Sequence, residues 1–483
     1  MDSRRLAEAV GFLNAHRDDY RVHRMVVLRH GCVVLDACFY PFSRGQRHDL
    51  ASVTKSFTST LVGIAIDLGY IAGVDEPILD FFPDRTIANL DDRKRRITIE
   101  HLLTMRSGLD CDAASFEETL QEMQQSPDWV QFVLDLPMVA EPGERRMYCS
   151  PGVHLLSATL EQATGMRTVE LARSYLFEPL DIDSHLWRAD PGGTARGWGD
   201  LHLGTLDMAK LGQLFLDDGL YSGRQVVSSS WVRQATAADG APYPDGWLDD
   251  DGYGFLWWST SRSFSAQGRG GQLVFVFPDE DLVLALNAGG SLTGEGRDGD
   301  TVIELRDAYV LGAIRSDSAL PPDPTGMTLL RQRLGEAALS DEGPPQPVPD
   351  LPETASRISG RTCTLDPNSF GFSKVRLSFS PGSDEALLEA TIPAILGDSE
   401  LRVVVGLDGV PRYSPSLFGM TLAAKGGWET DDTFVALVDN IGLINLWRYG
   451  FTFAGDTVEV TIDCLAGYQP SAVIAGRCEP EPM

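Results

Sequence analysis

The sequence predicts a mixed α/β (α+β) fold: an antiparallel sheet flanked by terminal helices, with an inserted helical lobe, followed by a small all-β domain. Three observations predict it. Strand-like runs lie towards both ends of residues 1–315, while 99–240 reads mainly as helices broken by Gly, Pro and Asp loops. Residues 316–356 carry the Pro- and acid-rich stretches "LPPDPTG" and "SDEGPPQPVPDLPET", a linker signature. Beyond 357 the chain holds only short strand patterns between Gly, Asp and Pro turns. The expected domains are therefore 1–315, a linker at 316–356, and a β-sandwich or barrel at 357–483.

The elements follow in order. Residues 4–16 read as a helix with Leu6, Val10 and Leu13 on one side. "RMVVLRHGCVVLDACFY" gives two β-rich runs around His30-Gly31, a hairpin. A long apolar helix is expected over 52–70. Strand signals return at "GYGFLWWS" (252–259), "GQLVFVFP" (271–278) and "LVLALNAG" (282–289), and a helix pattern follows at 301–314. One sheet built from both ends, beside the helical lobe, leaves a cleft between them. The linker carries one short helix at roughly 327–339. "KVRLSFS", "ALLEATI", "LRVVVGL", "TFVALVD" and "DTVEVTID" supply the β domain.

Composition bounds the partners. The net charge of −29 excludes nucleic acid and anionic membrane surfaces as natural partners. The N-terminus "MDSRRLAEAVGFLNAH" lacks the apolar core of a signal peptide, and no run is long enough to span a membrane. A cytoplasmic location is expected. The seven cysteines are scattered, odd in number and without C-x-x-C spacing, so they read as free thiols in a reducing compartment. No histidine cluster has metal-ligand spacing, so no metal or other cofactor is expected.

Three motifs carry chemistry. In "ASVTKSFTS" (51–59), Ser52 and Lys55 share one face at a helix start. Helix potential and burial would both lower the lysine pKa, so a neutral amine could take the serine proton. Alone, the pair also reads as an N-cap serine and a solvated lysine. In "RRMYCSPGVHLLS" (145–157), Tyr148 and Ser150 stand on a loop before an apolar helix. A phenol beside a cationic lysine can enter proton transfer, although, taken alone, a half-buried tyrosine before a helix capped by the serine is the plainer reading. In "FSAQGRGGQLVFVFP" (264–278), glycines 268, 270 and 271 lead along a strand whose free N–H groups could bind an oxyanion. A Gly-rich hairpin is the plainer alternative. His48, four residues before Ser52, reads as a structural histidine at a strand–helix junction.

Together and in this order, the motifs resemble the serine β-lactamase-like superfamily, in the branch of class C β-lactamases, penicillin-binding esterases and 6-aminohexanoate-dimer hydrolase. The resemblance covers residues 1–315 and extends to "ITIEHLLTMRSGLD", "GWGDLHLGTLDMAKLGQLFL" and "GYGFLWW". It implies Ser52 as nucleophile, Lys55 as base and Tyr148 in a shared proton relay. Ser150 would match the Asn or Ser of the family's Tyr-x-Asn loop. The N–H groups of Ser52 and Arg269 would form the oxyanion hole, beside Gln267 and Gly268. The family's third motif is Lys-Thr-Gly or His-x-Gly, whereas Ala266-Gln267-Gly268 supplies no cation. That argues against a β-lactam as acyl donor.

The expected activity is hydrolysis of a small-molecule ester or amide through a Ser52 acyl-enzyme. The alternatives are acyl transfer on the same scaffold, a β-lactamase or D-Ala-D-Ala peptidase, and a non-catalytic binding scaffold. Arg269 could hold a substrate carboxylate. The β domain could shape the cleft mouth, support a homodimer or cover an apolar face.

Overall fold

The computed structural model describes residues 1–111, 117–237, 248, 250–290, 299–339, 343–394, 397–416, 420–444, 446–465 and 471–480. The chain forms two compact units. The first comprises Met1–Phe39 and Ser43–Ala337, and the second comprises Tyr40–Phe42 and Ala338–Met483.

In the first unit, helix α1 (Ser3–Ala15) precedes the hairpin of β1 (Val22–Arg29) and β2 (Cys32–Cys38). His30 and Gly31 turn that hairpin with positive φ at both positions. Next come the short strand β3 (His48–Asp49) and helix α2 (Val53–Asp67). The lobe contributes α3 (Glu118–Gln125), α4 (Ser150–Thr164), β4 (Leu186–Trp187), β5 (Leu201–Leu203) and α5 (Thr205–Leu216). Strands β6 (Gly252–Tyr253), β7 (Trp258–Ser259), β8 (Phe264–Gly268), β9 (Gln272–Phe277) and β10 (Leu282–Ala288) return to the main sheet.

That sheet has seven antiparallel strands in the order β2-β1-β10-β9-β8-β7-β6. Its faces follow the period-2 alternation of strand side chains. Val26, Val274 and Val283 join the core shared with α2, α4 and α5. Met25, Phe275 and Leu284 face the opposite core, with α1 and the helical segment 300–313. The antiparallel sheet between terminal helices and an inserted lobe is thus the observed architecture.

The expected boundary at 315 differs from the observed one. Helix α6 (Pro324–Ala337) buries Leu330 and Ala337 in the core of α1, and Arg4 pairs with Asp323. The helix read as part of a linker is therefore a layer of the first unit.

The second unit is a barrel. Its strands are β11 (Thr362–Leu365), β12 (Lys374–Phe379), β13 (Glu385–Ala394), β14 (Gly397–Gly406), β15 (Arg412–Pro415), β16 (Thr421–Trp428), β17 (Thr433–Ile441), β18 (Leu446–Ala454), β19 (Thr457–Cys464) and β20 (Ala472–Cys478). They pair in the order β14-β13-β12-β11-β20-β19-β18-β17-β16-β15. A parallel contact between Gly406 and Lys425 joins β14 to β16 and closes the sheet on itself.

The cysteine expectation is corrected. Cys111 is bonded to Cys149, and Cys363 to Cys478 on neighbouring strands β11 and β20. The partners lie 38 and 115 residues apart, so spacing along the chain could not reveal them. Cys32, Cys38 and Cys464 are thiols outside these two disulfides. The argument for a reducing compartment therefore loses its cysteine support. No helix among the described residues is long and apolar enough to cross a membrane.

Candidate active site

The site is built at the start of α2. Ala51, just before it, adopts a left-handed backbone at φ 45°, which turns the chain sharply from β3 into the helix. Ser52 occupies the N-cap position, but its side chain makes no capping hydrogen bond. Lys55 is 1% exposed. The alternative of a capping serine and a solvated lysine therefore fails on both residues.

Lys55 Nζ donates to Ser52 Oγ at 2.8 Å and to the Trp198 carbonyl at 3.0 Å. It also stands 4.8 Å from the centroid of the Tyr148 ring. Burial lowers the Lys55 pKa to about 8; the Glu117 carboxylate pulls it up, and the Arg269 guanidinium adds to the lowering. An amine at that value is neutral in about a tenth of the molecules at pH 7, far more than an ordinary lysine, and in that form can accept a proton from a hydroxyl within hydrogen-bond reach.

Buried hydroxyls hold α2 in place. Thr58 Oγ1 donates to the Gly197 carbonyl at 2.7 Å, and Ser56 Oγ to the Leu256 carbonyl at 2.7 Å. These bonds fasten the helix to "GWGD" and "GYGFLWW", two segments with no catalytic side chain of their own. Each satisfies a buried polar group that would otherwise destabilise the fold. They also place the Trp198 carbonyl where it receives the lysine.

Strand β8 lies across the helix start. A Cβ on Gly268 would come within 2.7 Å of the Leu50 carbonyl oxygen, 3.0 Å of the Ser52 nitrogen and 3.1 Å of the Val53 nitrogen. Only glycine lets strand and helix approach this closely. Among the described residues, no group accepts a hydrogen bond from the Ser52 N–H. Gly270 and Gly271, at φ 82° and 91°, turn the chain from β8 into β9.

The remaining candidates divide. Gln267 lies on the opposite sheet face from Gly268; its amide donates to Asp250 and to Ser265 Oγ. Its side chain is not gathered with Ser52. Arg269 is exposed at the hairpin, and its charge acts on both Lys55 and Asp49. Ser150 is buried and donates to the Glu117 carboxylate. It is thus linked to Lys55 through an acid that the motif reading missed. Glu117 follows no motif spacing; only its place in the fold brings it to the lysine. The Cys111–Cys149 bond ties this region to the residue following Tyr148.

A charged cluster lies behind the Ser52 turn. Asp49, Asp200 and His202 bring potential ligand atoms within 4.8 Å of one another. Burial raises the Asp49 carboxyl. For Asp200 burial acts in the same direction, but Arg196 and Arg188 outweigh it and hold the carboxyl below its usual range. Arg196 pairs directly with Asp200. Guanidinium charge already balances the cluster, so its chemistry is that of an ion-pair network rather than of a cation cage. His48 is fully buried, with Nε2 2.9 Å from His23 Nδ1, and burial lowers its pKa to about 3. It is part of the scaffold.

Comparisons with known proteins bear on the family and the fold. The Beta-lactamase family model matches residues 15–307. The 6-aminohexanoate-dimer hydrolase of Paenarthrobacter ureafaciens is 28% identical over 286 residues, covering 54% of this chain and 70% of that protein. The monacolin J acid methylbutanoyltransferase of Aspergillus terreus is 28% identical over 191 residues, covering 36% of this chain and 45% of that protein. Among solved structures, the octameric penicillin-binding protein homologue of Pyrococcus abyssi matches with a TM-score of 0.52 at 16% identity, covering 98% of this chain and 100% of that one. EstCE1, a hydrolase with promiscuous acyltransferase activity, gives a TM-score of 0.52 at 18% identity over 64% of this chain and 99% of that one.

Proposed function

We propose that this chain, which belongs to the beta-lactamase family, is a serine hydrolase that cleaves an ester or amide bond of a small molecule through an acyl-enzyme on Ser52. The observation that carries the reading is the 2.8 Å hydrogen bond between a fully buried Lys55 amine and Ser52 Oγ. Neutral Lys55 takes the Ser52 proton as Oγ attacks the acyl carbon. The Ser52 N–H, with a second N–H at Arg269, receives the negative charge that develops on the carbonyl oxygen. Tyr148, beside the ammonium so formed, passes the proton to the leaving group. Water then attacks the acyl-enzyme by the same route in reverse.

The absence of a cation at Ala266 and Gln267 weighs against a β-lactam as donor. Arg269 favours an acyl group that carries its own carboxylate: its charge is felt at Lys55, so an anion beside it lies within reach of the reacting centre. Arg269→Ala should lower kcat/KM at least tenfold on p-nitrophenyl hemisuccinate and less than threefold on p-nitrophenyl butyrate, the scale of one charge-assisted contact. Equal losses would remove this role.

A second reading, transfer of the acyl group to an alcohol or amine, has support in the relatives whose names include such transfer. Labelling with a fluorophosphonate, followed by turnover on p-nitrophenyl esters and amides, tests both. Wild type should label and turn over, and Ser52→Ala should lose at least about 10³-fold in rate and all labelling. Labelling that survives Ser52→Ala would overturn the assignment. Labelling without turnover until an alcohol is added would favour transfer.

A further inference from the structure

The interior of the barrel is filled at one end and empty at the other. At the filled end, the rings of Phe379, Trp428 and Phe434 meet with centroids 5.0–5.6 Å apart. At the other end lies a cavity of about 180 Å³. Its walls are aliphatic and aromatic, including Leu388, Ala390, Val403, Val438, Phe451 and Val460, and among the described residues no charged side chain lines it.

Among the described residues, three lining residues carry polar side chains: Ser416, Asn440 and Tyr449. Ser416 Oγ already accepts from the Met420 N–H. Asn440 and Tyr449 fall on the inward period of β17 and β18, in step with Val438 and Phe451. Among the described residues, neither the Asn440 amide nor the Tyr449 hydroxyl has a hydrogen-bond partner. Burial raises the Tyr449 pKa, so the phenol stays a neutral donor.

Water is a poor occupant. The space holds about six waters, each needing about three hydrogen bonds, and the walls offer two uncommitted polar groups. A charged ligand is also disfavoured, because an ion without a counter-charge is costly to bury. An apolar chain would recover the contacts that an empty cavity forgoes, and one polar group on it would satisfy Asn440 and Tyr449.

We propose that this cavity binds a neutral aliphatic molecule of about six to eight carbons carrying one hydroxyl, ester or amide group, on the scale of an apolar cavity of about 150 Å³ that takes benzene. The site is independent of Ser52. It gives the second unit a ligand of its own, as in small closed barrels whose interior holds one small molecule.

Calorimetric titration of the full chain with 1-octanol, and separately with octanoate at pH 8, tests the proposal. 1-Octanol should bind saturably with one site per chain, and octanoate at least tenfold more weakly. Ser52→Ala should bind 1-octanol as wild type does, which separates this site from the proposed nucleophile. Ala390→Trp should abolish binding by filling the cavity. Tyr449→Phe, which removes one hydroxyl and no volume, should weaken 1-octanol about three- to tenfold and leave the circular dichroism unchanged. Absence of saturable binding to wild type would overturn the proposal. So would loss of binding in Ser52→Ala, undiminished binding in a folded Ala390→Trp, or full affinity in Tyr449→Phe.

Discussion

The start of α2 and the inside of the barrel are both buried, yet they are built from opposite materials. Around Ser52 the helix buries Thr54, Lys55, Ser56, Thr58, Ser59 and Thr60 in succession. The barrel interior buries apolar chains and leaves a cavity. A buried lysine destabilises a fold unless it is used, and here its amine is aimed at one hydroxyl. The barrel shows the reverse economy: few specific bonds, and a volume left unfilled. The role proposed for the first region rests on polar groups held at fixed distances, and the role proposed for the second rests on space.

The largest expected effect sharpens that contrast. Lys55→Met should abolish turnover, by at least about 10³-fold, because it removes the proposed base. It should also stabilise the fold. The lysine pKa falls from 10.5 to about 8 on folding. The unfolded chain therefore binds more protons between those values, and the lysine's contribution to stability improves as pH rises from about 8 to 10.5. At pH 7 the folded state bears most of the penalty, so its removal should raise stability by about 1–2 kcal/mol, net of the partners left behind. Thermal unfolding of both proteins at pH 7 and pH 10 decides it: the gain should shrink at the higher pH. A lower Tm for Lys55→Met at pH 7 would mean that the lysine is structural.

Next in size is a pair of glycines, one from each region. Gly268→Ala pushes a methyl against backbone atoms of Leu50, Ser52 and Val53, which cannot move aside independently. It should cost about 1–3 kcal/mol and reduce kcat about 10- to 100-fold by shifting the Ser52 N–H. Gly427 on β16 has nothing within 4 Å of its would-be Cβ. Gly427→Ala should leave activity unchanged and stabilise the barrel by about 0.5 kcal/mol, since glycine weakens a strand interior. Urea unfolding and esterase rates on the two variants make the test. Equal behaviour would erase the distinction between a glycine required by close approach and one that is merely tolerated.

How far each region was legible in the sequence follows from the same contrast. Ser52-x-x-Lys55 could be read because i and i+3 on a helix must share a face, whatever the rest of the chain does. The barrel strands could be read from period-2 alternation, as Val458, Val460 and Ile462 show. Closure could not be read, because it depends on Gly406 meeting Lys425 across the sheet. Nor could the cavity, since inward residues look alike whether they touch or face a void. Glu117 and the Trp198 carbonyl were missed for a related reason: one lies 62 residues from Lys55 in the chain and the other 143, and a carbonyl carries no side-chain signature. Gln267 was drawn into the site by its neighbours in the chain, but strand alternation sends it to the other face.

The smallest effect tests whether Glu117 serves the chemistry directly or only through charge. Its carboxylate raises the Lys55 pKa against the lowering by burial and Arg269. Glu117→Gln removes that charge but keeps an oxygen to accept the Ser150 hydroxyl. The lysine pKa should then fall further below 8. The acid limb of the kcat/KM profile reports the free enzyme's base, so it should move to lower pH. At pH 6, where most of the wild-type base is protonated, the variant should be about two- to fivefold faster; on the alkaline plateau the two should agree. A proton-transfer role for Glu117 predicts the opposite, a slower variant at every pH. A profile that is lower throughout and unshifted would therefore move Glu117 from tuning the base to taking part in the reaction.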